Sequence, residues 1–400
     1  MTATVTTVAP HQAPGSVERT GTAVAGRPAG GSANERLFFF DSLRFFAIAL
    51  VVVLHASITY MSSGPAWWYV ADPDQSQGVF FLAVVLLVDV PIMPILFFAA
   101  GYFALPSLRR RGVDGFLREK ALRIGAPWLL GVVLLAPLET YMYDVSRHTG
   151  VDYLTFLTRE FIGPLYQQSV YWFLGVLFAC FVIAAWAWLA SPRLRAAERR
   201  IELPAPTLFL GFVAATAAGS ALFAGRYGPD DWQPSVLVFQ PARVAFYIGY
   251  FVLGACADRR GWFREDGYTP EIGPWAAGAL VASVAYLGYR LNVALDGTAT
   301  RAAADVLFSV FCLTAVMALL AIFRRRLNKG GPVRRLLGSN SFGVYYLHPL
   351  VLYPLAFVFV GVAIAPLAKV AVLVVVTLAL SLAGSDLVLR RAPGLRRLFG

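Results

Sequence analysis

From residue 37 onward the chain alternates long apolar runs with short polar stretches. A spanning helix needs about 20 mostly apolar residues. Ten segments come near that length, at about 38–60, 79–105, 121–139, 170–190, 205–224, 236–257, 274–292, 302–323, 339–364 and 366–389. The pattern predicts an all-α fold, a polytopic integral membrane bundle of about ten transmembrane helices over residues 37–390. Residues 1–36 are rich in Thr, Ala, Gly and Pro and show no apolar period, which predicts a disordered tail. Residues 391–400 form a short basic tail. Between the third and fourth segments, Tyr153, Phe156, Leu157, Phe161 and Leu165 have the spacing of an amphipathic helix lying on the membrane surface.

Basic residues orient this bundle, because Lys and Arg accumulate in cytoplasmic loops. With the N-terminus inside, the inner connections hold Arg109 to Arg111, Arg118 and Lys120, then Arg193, Arg195, Arg199 and Arg200, then Arg259, Arg260 and Arg264. They are followed by Arg324 to Arg326, Lys329, Arg334 and Arg335, and by Arg390, Arg391, Arg396 and Arg397 in the tail. The opposite side carries only Arg147, Arg159, Arg226, Arg290 and Arg301. Both termini are therefore expected in the cytoplasm, and an odd helix count would put the later clusters outside.

Composition agrees. Hydrophobic residues make up 58% of the 400-residue chain, charged residues 14%, and the mean hydropathy is +0.64. One soluble core does not hide that much apolar surface, whereas lipid solvates it. The net charge of +11 falls in clusters between apolar runs rather than on one basic face, so it reads as membrane topology and not as a nucleic-acid site. Cys180, Cys256 and Cys312 are dispersed in apolar segments, which indicates neither a disulfide framework nor a zinc site, and no metal is expected.

Charged side chains inside spans are costly and mark sites by default. The first span, FFFDSLRFFAIALVVVLHASITY, contains Asp41, Arg44 and His55. Eleven residues are close to three helical turns, which puts Arg44 and His55 on one stripe about 16 Å apart. The same pattern fits a snorkelling arginine and a histidine bonded between helices. Asp89 lies mid-span before Pro91 and Pro94, and Arg243 follows Gln240 and Pro241; the two are candidates for an ion pair or for a polar path. His348 precedes Pro349 in SFGVYYLHPL, where a satisfied interior histidine is the plainer reading. Lys120 and Arg123 share a face beside the predicted start of the third helix, where free amide groups would add to their pull on a phosphate.

Taken in order, these stretches resemble the membrane-bound acyltransferase 3 family, in particular its glucan-modifying branch. The first-helix arginine and histidine with ten residues between them resemble that family's opening motif. PILFFAAGYF and FLREKALRIGAPW resemble its second-helix end and basic motif, with Lys120 where an arginine is commoner. VYWFLGVLF around Trp172, YIGYFVLGA and SFGVYYLHPL follow in the family's order. The resemblance implies Arg44 and His55 as the active-site pair, and Lys120 with Arg123 as contacts to the phosphates of an acyl-CoA co-substrate. It further implies an acceptor hydroxyl on a glycan, glycolipid or small natural product, no permanently bound cofactor, and a multi-pass place in a bacterial inner membrane. Asp41, Asp89, Trp172, Arg243 and His348 complete the candidate site. No activated-nucleophile motif is present, which favours direct transfer with an imidazole base. A secondary transporter or flippase using Asp89, Arg243 and His55 is the competing expectation, although no internal repeat is evident.

Overall fold

The computed structural model describes residues 37–196, 201–224, 226–228 and 230–399. The expected N-terminal tail lies outside them. Every regular element among the described residues is helical, and the sole extended pairing among them is an isolated bridge between Gln233 and Phe239. The helices are α1 (Phe38–Ile58), α2 (Gly78–Lys120), α3 (Ala126–Leu130), α4 (Ala136–Arg147), α5 (Trp172–Ala190) and α6 (Pro206–Ala224). They continue with α7 (Val244–Arg259), α8 (Ile272–Asn292), α9 (Thr298–Arg326), α10 (Pro332–Phe359) and α11 (Pro366–Gly384). Among the described residues, eight helical stretches are long and apolar enough to cross a membrane, and one of them, Gly78–Arg147, has 70 residues.

That long stretch goes across the bundle and back. Its first residue, Gly78, accepts a hydrogen bond from the Ser62 amide, and its last, Arg147, donates to the carbonyls of Ala66 and Trp68, so both ends meet the same 59–77 loop. The reversal falls at Gly112, whose φ of 68° and ψ of 175° lie outside the helical range and suit a residue without Cβ. The third span therefore begins well before residue 121 and runs on past Glu139 to Arg147. The sixth is shorter than its apolar run: residues 236–240 are loop, and helix starts at Pro241 as a 3-10 turn leading into α7. With the return at Gly112 and this short helix counted, helix is found in each of the ten expected segments.

Helix α1 runs between α2, α10, α11 and α9, so its polar residues face protein on several sides. Helices α2 and α7 pack most intimately. A Cβ at Gly101 would lie 1.9 Å from the Phe251 carbonyl oxygen, and one at Gly254 would lie 2.1 Å from that of Phe98. Small residues let two backbones approach this closely where lipid offers no hydrophobic drive for helix association. The amphipathic segment after α4 is a short helical stretch, Tyr153–Phe161, and its Phe156 and Phe161 are buried against Tyr141 and Tyr166. Its apolar side is thus taken up by the protein.

The basic clusters gather at one end of the bundle. Phe39 there donates from its amide to Asn328, Arg260 pairs with Glu202 at 3.6 Å, and Arg325 donates to the Pro270 carbonyl. The opposite end is built from the 59–77, 148–171 and 230–240 connections. The 59–77 loop is pinned by a fully buried ion pair, Lys369 Nζ to Asp72 Oδ2 at 2.9 Å.

Candidate functional site

Pro349 explains the local structure around His348. A proline has no N–H, so the carbonyl four residues earlier, that of Tyr345, loses its helical donor. His348 Nδ1 lies 2.6 Å from that oxygen. A carbonyl only accepts, so Nδ1 carries the hydrogen and, in the neutral ring, Nε2 presents a lone pair. Nε2 lies 3.0 Å from His55 Nδ1, and the two rings stack with centroids 5.2 Å apart. His55 Nδ1 therefore donates to His348. Its own Nε2 is left as the basic nitrogen, and no protein group among the described residues bonds it. The freed carbonyl sets two tautomers in series.

His55 lines a cavity of about 800 Å³, a size in the range of about 300–1,000 Å³ usual for small-molecule sites. The cavity lies at the end of the bundle opposite the basic clusters. Trp68, which packs against the His55 ring at 5.5 Å, forms one side with Tyr69 and Tyr353. Gln167, Gln168 and Ser169 enter from the connection before α5. Trp172 lies in the wall with Trp232 and Tyr247 at centroid distances of 5.1 and 5.5 Å. His348 is fully buried behind His55 and does not line the space.

Across the cavity, Arg243 lies 3.4 Å from Asp89, the ion pair considered from sequence. The structure adds two members that sequence reading missed. Arg243 also lies 3.4 Å from Asp230, and Arg290 lies 3.2 Å from the other oxygen of Asp230. The Arg243 guanidinium stands over the Phe308 ring at 3.9 Å. Both arginines are largely covered, whereas Asp89 and Asp230 are 38% and 56% exposed, so this wall shows the cavity mainly hydrogen-bond acceptors.

Arg44 and His55 share the α1 stripe but not a contact. Arg44 pairs with Asp41 at 3.6 Å and lies over the Phe103 ring at 5.4 Å, at the basic end of the bundle. Lys120 is close by, over Phe181 and Phe116, within electrostatic range of Arg44, Arg111 and Arg123. Arg123 is exposed. The expectation that free helix amides assist these two residues is overturned. The chain remains helical through both, passing from α2 into a π turn, Ala121–Gly125, and the helix start after Gly112 lies two turns earlier. A residue in a continuous helix has its amides already bonded.

The fold and site thus describe a helical membrane protein with an imidazole in a cavity at one end of the bundle and a cluster of basic residues at the other. Residues 37–386 match the acyltransferase domain model of the acyltransferase 3 family, so the chain belongs to that family of membrane acyltransferases. It is similar to glucans biosynthesis protein C of Escherichia coli O81 (strain ED1a), with 24% identity over 334 residues, covering 80% of this chain and 83% of that protein. No solved structure matches the chain.

Proposed function

We propose that this chain is an O-acyltransferase that takes an acyl group from acyl-CoA at its basic end and delivers it to a hydroxyl held in the His55 cavity. The observation that carries the reading is the series Tyr345 carbonyl, His348, His55, which leaves one unbonded imidazole nitrogen facing the cavity. In the reaction the acceptor hydroxyl oxygen attacks the thioester carbonyl while His55 Nε2 takes its proton. The carbon–sulfur bond breaks, the proton passes from His55 to the departing thiolate, and ester and free CoA result.

Arg44, Lys120 and Arg123 hold the donor phosphates in this scheme, and the pantetheine arm runs along α1 towards His55. Both termini and the basic clusters face the cytoplasm of a bacterial inner membrane, following the distribution of positive charge. The acceptor is a glycan, glycolipid or small natural product. The name of the E. coli relative and the acceptor-rich wall of Asp89 and Asp230 support a polyhydroxylated molecule. The test offers purified protein in lipid a panel of acyl-CoAs with candidate acceptors and follows free thiol and acylated product. Acceptor-dependent CoA release that is lost in His55→Ala is expected. Movement of the acceptor across vesicles without any CoA release would replace this reading with transport.

A further inference from the structure

Glu139 lies inside α4 and is only 2% exposed, deep in the bundle and outside the scheme above. No basic side chain pairs with it among the described residues. Its Oε1 lies 2.7 Å from the Tyr171 hydroxyl, and its Oε2 has no hydrogen-bond partner. The Tyr171 hydroxyl also lies 3.1 Å from the Tyr346 carbonyl oxygen. A tyrosine has one proton to give, and here two acceptors face it. Both contacts become hydrogen bonds together if Glu139 carries a proton and donates it to the Tyr171 oxygen, leaving Tyr171 to donate to Tyr346. The alternative is a buried carboxylate with no counter-ion, a costly arrangement away from water.

We propose that Glu139 is a neutral carboxylic acid and a positioning residue for the histidine pair, acting through Tyr171 on helix α10. The strut meets α10 at Tyr346, next to the residue whose carbonyl sets the His348 tautomer. The neighbouring backbone is tied as well: the Tyr345 hydroxyl donates to the Val170 carbonyl, and the Tyr171 and Tyr346 rings pack at 5.0 Å. Two adjacent residues before α5 thus grip two adjacent residues of α10, and Glu139 anchors the grip. His348 then presents Nε2 to His55 at a fixed height.

The inference rests on the acyl-transfer reading only for its effect on rate, so its test includes two measurements independent of transfer. Infrared difference spectra of the full-length protein in lipid, wild type minus Glu139→Gln, should show the carbonyl band of a protonated carboxyl group. Absence of that band would overturn the neutral acid. Carbethoxylation of His55 by diethyl pyrocarbonate, followed by mass spectrometry, reports the state of its free nitrogen. Glu139→Gln, whose amide also donates to Tyr171, should keep the wild-type labelling rate. Glu139→Leu and Tyr171→Phe should both shift it, the second while retaining the ring and its packing. Unchanged labelling in Tyr171→Phe would remove the positioning role even if Glu139→Leu failed to fold. In turnover, Gln should rescue what Leu loses, and the loss should lie in kcat rather than in the KM for acyl-CoA. Misplacement of a base by even 1 Å typically costs up to about 100-fold.

Discussion

Replacing His348 with alanine tests whether the buried histidine works through His55. In the wild type, His55 Nδ1 donates to His348 Nε2 at 3.0 Å, with His348 fully buried. In the proposed reaction His55 takes the acceptor's proton and becomes an imidazolium, and that hydrogen bond becomes charge-assisted at the moment of reaction. Such a bond contributes about 1.5 to 3 kcal/mol, which corresponds to roughly ten- to a hundredfold in kcat. Losing His55 itself costs more, typically about 10²- to 10⁴-fold for a general base. The assay is initial thiol release at saturating donor and acceptor. His348→Ala should lower kcat by the smaller factor and leave the KM for acyl-CoA unchanged, because the proposed phosphate contacts, Arg44, Lys120 and Arg123, lie at the other end of α1. The double variant His55→Ala, His348→Ala should be no worse than His55→Ala alone, since the second residue acts only through the first. An unchanged kcat in His348→Ala, or a further large drop in the double variant, would refute the series.

Three other outcomes follow from the geometry. Arg44→Lys should fail to restore the activity lost in Arg44→Ala, because an ammonium lacks the planar fork that grips a phosphate or carbonyl; full rescue in the turnover assay would reduce Arg44 to a membrane anchor. Lys120→Gln and Arg123→Gln should each raise the half-saturating acyl-CoA concentration by roughly ten- to a hundredfold, as for a charge-assisted bond, and added salt should weaken donor binding further. Unchanged donor titrations in both variants would leave the basic cluster as a topology signal. At the cavity end, the Asp152 carboxylate accepts from the Leu154 and Thr155 amides and caps the helical stretch from Tyr153. Bonds from Thr155, then Leu154, hold its carboxyl below the usual range. A group depressed in the folded state stabilises it above the unfolded pKa and loses that contribution as pH falls through the folded value. Proteolysis of the 148–168 connection should therefore speed up on acidification, and Asp152→Asn should flatten that dependence.

The apolar solvent, the helices and the clustering of charge are all legible in the order of residues. Those properties are local: a backbone in lipid must satisfy its hydrogen bonds within each segment, and hydropathy and arginine placement are sums over neighbouring residues. Local chemistry also flagged Asp89, Arg243, His55 and His348 one at a time, although the plainer reading of His348 was a satisfied interior histidine. Span boundaries were less legible. The third apolar run ends at residue 139, whereas the helix continues to Arg147 and encloses Glu139. Tertiary structure alone decided which polar groups meet. His55 and His348 are separated by 293 residues, Asp72 and Lys369 by 297, and Asp89 and Arg243 by 154. No periodicity along the chain encodes those encounters. They follow from which helix faces pack together, and where lipid is as apolar as a leucine side chain, that choice rests on close backbone approach and on polar groups that must find one another.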